Sequence, residues 1–301
     1  MEEDGRKVQN IEEGKAYLML EEKTVLEQPE KKDAIQPPKA VSKTPSVVEG
    51  SQGEPPKGVS KVEPSGELLV TLMSITPQAE QVIEMACRTC YLSFHRYNPP
   101  ASTEELIKKI LKKGHHSVLE HAHATFRIKG GSRVFTHELI RHRLISPSQE
   151  SQRYVQYGKT RPFDYVVPPS VASTPFAERY KELASETQAF YEEMVKGGVP
   201  KEDARYILPN ATTSEIVISA NFREFRHLFS VRCTPFAHWE IRKVCIEMLK
   251  IMKKEAPISF WDFVVNEENN TVTILPPEGA VVDPEDKTRR ERAERPEEPK
   301  G

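Results

Sequence analysis

The stretch Ala124-Thr-Phe-Arg-Ile-Lys129, then Gly130-Gly131-Ser132, then Arg133-Val-Phe-Thr-His-Glu-Leu-Ile-Arg-His-Arg143 decides the fold class. Its first six residues alternate polar and apolar, the period of a half-buried strand. The two glycines and Ser132 predict a turn, and Arg133 to Arg143 reads as a helix. Outward from this unit, Leu68-Leu-Val-Thr-Leu-Met-Ser74 predicts a buried strand, and Val82, Ile83, Met85, Ala86 and Cys90 place a helix over about 78–93. Ser102-Thr-Glu-Glu105 has the form of a capping box opening a helix to Lys113, with Gly114 as its stop. Long helical patterns cover roughly 175–197, 221–231 and 237–254, and short strands are expected at 213–219 and 271–275. Strands and helices mix without a βαβ rhythm, so the fold class is α+β in a single domain, with no Rossmann motif.

Composition sets the limits of that domain. The 301 residues carry 43 bases and 45 acids, and only 37% are hydrophobic. A near-neutral total argues against a binder of nucleic-acid polymer. Residues 1–66 hold ten bases, thirteen acids, seven prolines and a single aromatic, Tyr17. Such a segment buries too little to offset an ordering cost of about 1–2 kcal/mol per residue. It reads as a disordered extension, and the charged stretch 283–301 reads as a disordered tail. The intervening 67–282 keeps all nine histidines, all four cysteines and both tryptophans. No apolar run approaches the ~18–20 residues of a membrane span. The acidic start Met1-Glu-Glu-Asp4 is unlike a signal peptide, so the chain is expected to be cytoplasmic and unattached to membrane.

Several chemical patterns can be weighed. Cys87-x-x-Cys90 has no second pair, which leaves small residues on a helix as its simplest reading. His115-His-Ser-Val-Leu-Glu-His-Ala-His123 is dense in potential ligands and keeps a metal-dependent hydrolase open. His137 and His142 are five apart, which breaks the i, i+4 spacing of a zincin helix. There is no GxGxxG or P-loop; Gly130-Gly131 could cradle a phosphate but reads more simply as a turn.

The informative segment is Arg141-His-Arg-Leu-Ile-Ser-Pro-Ser-Gln-Glu-Ser-Gln-Arg-Tyr154. Three guanidiniums in one loop repel unless anions or acids lie between them, and their forked donors match phosphate. Serine hydroxyls and the amides of Gln149 and Gln152 suit a uracil edge or a ribose. Either a loop for a phosphorylated small molecule or a salt-bridged surface loop has this composition.

Arg141-His142-Arg143, seven residues, then Ser151 resembles the RHR-x7-S signature of the flavin-dependent thymidylate synthases. Ser146, Arg153 and Tyr154 extend the likeness. So do Gly114-His-His-Ser117-Val-Leu-Glu120-His121, Ala204-Arg205-Tyr-Ile-Leu-Pro209, and Asn221-Phe-Arg223-Glu-Phe-Arg-His227 with Arg232 and His238-Trp-Glu-Ile241. The resemblance spans about 67–265 and implies a family-specific fold that converts dUMP to dTMP. The one-carbon unit would come from methylenetetrahydrofolate and the reducing equivalents from NADPH by way of FAD. It also implies a homotetramer whose active sites are shared between subunits. By this likeness Ser117, Glu120, Arg141, His142, Arg143, Gln149, Asn221, Arg223 and His227 match FAD-contacting positions. Glu138, Leu139, Ile140, Arg141, Gln149, Ser151, Arg153, Arg205 and Arg232 match dUMP-contacting positions. Arg232 matches the arginine that favours ionisation at N3 of the uracil. Four positions depart from the commoner pattern: Ser148 for Asn, Gln149 for Glu, Glu138 for Gln and His227 for Asn. Those departures keep open a repurposed relative that binds nucleotide or flavin without turnover. A carboxylate at 138 would oppose a phosphorylated substrate unless it faced away or paired with an arginine.

Overall fold

The computed structural model describes residues 68–276. The expected extension over 1–66 and tail over 283–301 lie outside the described residues. Fourteen helices and strands are named in chain order. They are β1 (Leu69–Ile75), α1 (Ala79–Tyr91), α2 (Ala101–Lys112), β2 (His123–Ser132), α3 (Arg133–Leu139), β3 (Ser146–Gln149) and α4 (Pro169–Ala172). Then follow α5 (Ala177–Lys196), α6 (Lys201–Ala204), β4 (Thr213–Asn221), α7 (Phe222–Arg232), α8 (Trp239–Glu255), β5 (Phe263–Asn266) and β6 (Thr271–Ile274).

The expected α+β domain is what forms. One antiparallel sheet runs β1-β2-β4-β3, and β5-β6 make a separate hairpin. Phe126 pairs with Ile218 and Ile128 with Ile216, so the apolar residues of both central strands share one face. That face is buried, together with Ala124 and Ala220. Helix α8 covers the core with Ile241, Val244, Cys245, Met248, Leu249 and Met252, a stripe at helical spacing. Burying a side chain of this size is worth about 1.5–3 kcal/mol, so this stripe anchors α8. Phe222, Phe225 and Phe229 of α7 complete the packing, and Phe225 meets Phe126 edge to face at 5.5 Å. A smaller cluster around Tyr157, Phe163, Tyr165 and Tyr191 lies under α5.

Local chemistry explains where elements stop. Gly114 has φ +71° and closes α2, with His115 N donating to Ile110 O and Gly114 N to Leu111 O. These paired bonds are a Schellman cap, which needs the left-handed residue glycine provides. Gly130-Gly131 is not the expected turn. Strand β2 runs through it with a bulge between Lys129 and Gly131, and Ser132 still pairs with Thr213. A Cβ at Gly131 would meet Phe135 Cδ1 at 2.5 Å, which is why this crossing is bare. Ser132 then caps α3 by accepting from Phe135 N.

Three further expectations need correction. Helix α2 begins at Ala101, and Ser102 makes no capping box. Its Oγ accepts from Asn98 N and donates to the buried Glu84, which also takes bonds from Thr103 and Arg88. The need of a buried carboxylate for donors outcompetes the local cap. Helix α3 ends at Leu139 rather than Arg143, because His142 N and Ile145 N turn back three residues to Leu139 and His142 carbonyls. Finally, the arginine-rich segment is not all loop: Ser146–Gln149 is an edge strand on β4, a place that tolerates Pro147.

Candidate functional site

Helix α7 and the turn after α3 assemble the polar centre. Asn221 ends β4 and caps α7, its Oδ1 accepting from Glu224 N at 2.9 Å. This fixes the first turn and sends Glu224, His227 and Arg232 along the helix. Arg232 Nε donates to His142 Nε2 at 2.9 Å. Its Nη1 lies 3.3 Å from Glu138 Oε2, and its Nη2 donates to the Glu138 carbonyl at 3.4 Å. The second oxygen of Glu138 is 3.6 Å from His238 Nδ1. Residues from α3 and its following turn, the end of α7 and the start of α8 therefore converge, and Glu138 is paired with an arginine, the condition under which a carboxylate there is tolerable.

The protonation of His142 follows from its partner. A guanidinium only donates, so Nε2 must present a lone pair. The imidazole is then neutral with its hydrogen on Nδ1. Burial, the charge of Arg232 and the neighbouring His227 hold the His142 pKa down at about 4. His142 Nδ1 lies 3.8 Å from Glu224 Oε1, and His227 meets the His142 ring edge-on at 5.9 Å. Burial raises the Glu224 carboxyl, while His227 pulls it back.

Beside this centre is a cavity of about 840 Å³ whose walls include His116, Glu120, Asn221, Arg223, His227 and Trp261. Its volume falls within the ~300–1,000 Å³ of small-molecule sites. Arg223 pairs with Glu120 across one wall. Beneath it Arg226 grips Asp262 with two bonds, at 2.7 and 2.6 Å, and also donates to Ser259 O. Burial and the charges of Arg226 and Arg223 keep the His116 pKa below its ordinary value. Trp261 Nε1 and Arg226 Nε are buried without a partner, though both residues line the cavity. Paired arginines and carboxylates, two histidines and a tryptophan give the cavity a polar, charge-balanced lining, which suits a large hydrogen-bonding ligand.

Of the nine flavin-matched positions, Glu120, Asn221, Arg223 and His227 line this cavity. His142 stands behind His227. Ser117, Arg141 and Arg143 lie outside its lining. Gln149 is elsewhere, its amide donating to Thr136 and Ser214. The nucleotide-matched positions divide too. Glu138 and Arg232 join at the centre described above. Leu139 is fully buried, and Ile140 and Arg141 are exposed. Arg153 pairs with Glu202 at 3.3 Å, and Arg205 donates to the Glu202 carbonyl, while Ser151 Oγ accepts from Arg153 N. Among the described residues no hydrogen bond or ion pair joins this second group to Arg232.

Sequence reading misses Glu224 and the Arg226–Asp262 pair. Asn221-x-x-Glu224 is visible as a capping signal, but nothing local points Glu224 at His142. The histidines of 115–123 do not form the expected alternative site. Among the described residues no three His, Cys, Asp or Glu side chains are grouped to hold a metal. Cys87 is buried and Cys90 exposed, both reduced on α1. No described helix is long and apolar enough to cross a membrane.

Comparison with known proteins is consistent across sequence and fold. The family described as thymidylate synthase complementing protein matches residues 71–258. A flavin-dependent thymidylate synthase of Geobacter sulfurreducens is 41% identical over 199 residues, covering 64% of this chain and 85% of its own. One from Pyrococcus furiosus is 38% identical over 203 residues, with 64% and 83% covered. In fold, the chain is similar to a crystal structure of thymidylate synthase X from Helicobacter pylori with FAD and dUMP. The TM-score is 0.56 at 24% identity, covering 65% of this chain and 98% of that one.

Proposed function

The chain belongs to the flavin-dependent thymidylate synthase family, and from that premise we propose that it converts dUMP to dTMP. Methylenetetrahydrofolate donates the one-carbon unit and NADPH the reducing equivalents. FAD, when bound, supplies the two-electron transfer between NADPH and the one-carbon unit. The 840 Å³ cavity is the FAD site of this reading, with Glu120, Asn221, Arg223 and His227 as the holding side chains.

The chain's own work is to bind, orient and polarise. Arg232 keeps its proton throughout the physiological range and acts as a fixed charge beside N3 of the uracil. A preorganised donor of this kind is typically worth about 3–4 kcal/mol in the rate-limiting step. Neutral His142 steers the Arg232 side chain without competing for the uracil anion. Glu138 shares Arg232 with the nucleotide, so substrate binding must shift that carboxylate toward His238. Ser151 positions substrate as a hydrogen-bonding group. In this reading Arg153 and Arg205, tied to Glu202, serve a site completed by another chain of a homotetramer. The domain of this reading spans 67–282, acts in the cytoplasm, and carries the N- and C-terminal segments as extensions.

One observation carries the proposal. His142 of the RHR motif, Glu138 of α3 and Arg232 of α7 meet at hydrogen-bond distance beside a cavity of ligand size lined by Glu120, Asn221, Arg223 and His227. The purified protein is expected to be yellow, to bleach with NADPH, and to release tritium from dUMP labelled at C5 when the folate is present. A colourless protein that cannot be reconstituted with FAD sinks the proposal. Binding of dUMP without any release identifies a non-catalytic relative instead.

A further inference from the structure

We infer that Glu150 is a positioning residue for nucleotide binding: its carboxylate joins the entry of the turn 151–154 to its exit and so holds Ser151 and Arg153 in place. The inference rests on the function proposed above for the nucleotide, and on geometry alone for its structural part.

Glu150 directly follows β3, and its backbone N still donates to Glu215 O on β4 at 2.8 Å. The chain then leaves the sheet. Tyr154 N and Val155 N both return to Ser151 O, at 3.1 and 3.0 Å, and Arg153 N donates to Ser151 Oγ. The Glu150 carboxylate reaches across this turn. Its Oε1 accepts from the Tyr157 hydroxyl at 3.0 Å, and its Oε2 pairs with Arg161 Nη1 at 2.5 Å. Arg161 Nη2 in turn donates to Thr213 Oγ1 at 2.8 Å, which ties the group to the first residue of β4. The Glu150 and Arg161 side chains are only 10% and 18% exposed. Tyr157 is buried, its ring edge-on to Phe163 and Tyr191. Burial, and then the charge of Glu150, push the Tyr157 phenol up to about 12, so it stays a donor.

Both carboxylate oxygens are therefore taken by donors that lie beyond the turn, while the backbone of Glu150 lies before it. The other side-chain supports of the turn are Lys201 Nζ on Tyr154 O and Glu202 on Arg153. Both are exposed, and exposed contacts of this kind hold a chain weakly. Without Glu150 the turn must be ordered by the nucleotide itself, at a cost to affinity. Outer partners that orient metal ligands change affinity about 10–100-fold, and the same scale applies to a side chain that orients two nucleotide-holding residues. The competing account is that Glu150 only stabilises the cluster around Tyr157. That account lowers the melting point and leaves the nucleotide affinity of the folded protein unchanged.

Substitutions separate the two. Glu150→Leu removes both acceptor atoms. Glu150→Gln keeps an oxygen for Arg161 and an amide that donates to the Tyr157 hydroxyl, without the charge. Tyr157→Phe keeps the buried ring, removes the phenol donor, and serves if Glu150→Leu does not fold. Affinity for dUMP is read by isothermal titration calorimetry on the full chain with FAD bound, well below the melting point. The Kd should rise about 10–100-fold in Glu150→Leu and about three- to tenfold in Tyr157→Phe, and stay within about threefold in Glu150→Gln, with FAD content held. Hydrogen exchange over 151–156 in the nucleotide-free protein should speed up in Glu150→Leu and Tyr157→Phe and not in Glu150→Gln. An unchanged Kd in Glu150→Leu, or in Tyr157→Phe where it stands in, overturns the inference. So does an equal loss in Glu150→Gln and Glu150→Leu, or a loss of FAD that matches the loss of dUMP affinity. If wild type itself binds no dUMP, the proposed function fails, and the exchange of 151–156 alone then decides Glu150.

Discussion

Removing Asp262 tests the foundation of the cavity. Asp262 and Arg226 are both about 90% buried and joined by two bonds of 2.7 and 2.6 Å. Arg226 also stacks over Phe263 at 4.8 Å and donates to Ser259 O. In Asp262→Ala the guanidinium keeps one carbonyl and one ring face but loses its counter-charge. Deleting one partner of a buried ion pair costs about 3–5 kcal/mol, against roughly 0–1 for an exposed pair. For a domain of this size each kcal/mol moves Tm by about 2–4 °C, so the variant should melt about 6–20 °C early. Replacing both partners, as Arg226→Met with Asp262→Leu, removes the stranded charge and should recover most of that loss. Glu186→Ala breaks an ion pair whose ends are about 60% exposed and serves as the control, with no resolvable change expected. Thermal unfolding by circular dichroism, at fixed protein concentration, reads all four proteins. Flavin released on precipitation is measured in parallel and should fall in Asp262→Ala, because Arg226 and Asp262 line the cavity. If Asp262→Ala melts within 2 °C of wild type, on the order of 1 kcal/mol or less, the pair does not support the cavity wall. A double variant less stable than the single one would refute the stranded-charge reasoning as well.

Other consequences are narrower. Arg232→Ala should lower tritium release about 10²–10³-fold, and Arg232→Lys should rescue little because an ammonium lacks the Nε donor that His142 accepts; turnover equal to wild type removes Arg232 from the mechanism. His142 has a pKa near 4 in the folded chain against an ordinary 6.5, so between these values the unfolded state binds more protons and stability falls as pH drops from 6.5 toward 4. His116 adds to the same trend, while Glu224 and Glu80, both raised, oppose it. His142→Gln, which keeps an acceptor for Arg232, should flatten part of the change in urea midpoint between pH 7 and pH 5; an unaltered slope refutes the assignment. Gly131→Ala places a Cβ at 2.5 Å from buried Phe135 and should cost about 1–3 kcal/mol, seen as a lower midpoint in urea.

Much of the scaffold is legible because its residues repeat with the period of one element. The alternation from Ala124 to Lys129 and the stripe of α8 each declare a buried face without reference to anything distant. Gly114 likewise declares its stop, since a Schellman cap is a local device. What is missed depends on partners far along the chain. Strand β3 is four residues long, includes Pro147, and exists because β4 offers it an edge. Ser102 reads as a cap until Glu84, eighteen residues earlier, claims its hydroxyl. The bulge at Gly130 keeps β2 in the sheet because β4 still pairs with Ser132.

The site divides along the same line. Its residue types are visible in the RHR segment and around Asn221, because phosphate and flavin chemistry needs recognisable donors close together. Their electrostatic balance is not visible there. Glu138 reads as a misplaced charge, and the structure answers it with Arg232 at 3.3 Å and His238 at 3.6 Å. The other histidine of this centre, His227, is a second departure, and it packs against His142 while its charge influences Glu224. The two departures thus both bear on Arg232, Glu138 by direct pairing and His227 through the His142 ring. Changing Glu138 would remove a counter-charge from Arg232, and changing His227 would alter the packing of the imidazole that holds it. Glu138 and His227 therefore belong to one arrangement around Arg232, because the carboxylate pairs with the guanidinium that the His142 ring holds from its other side.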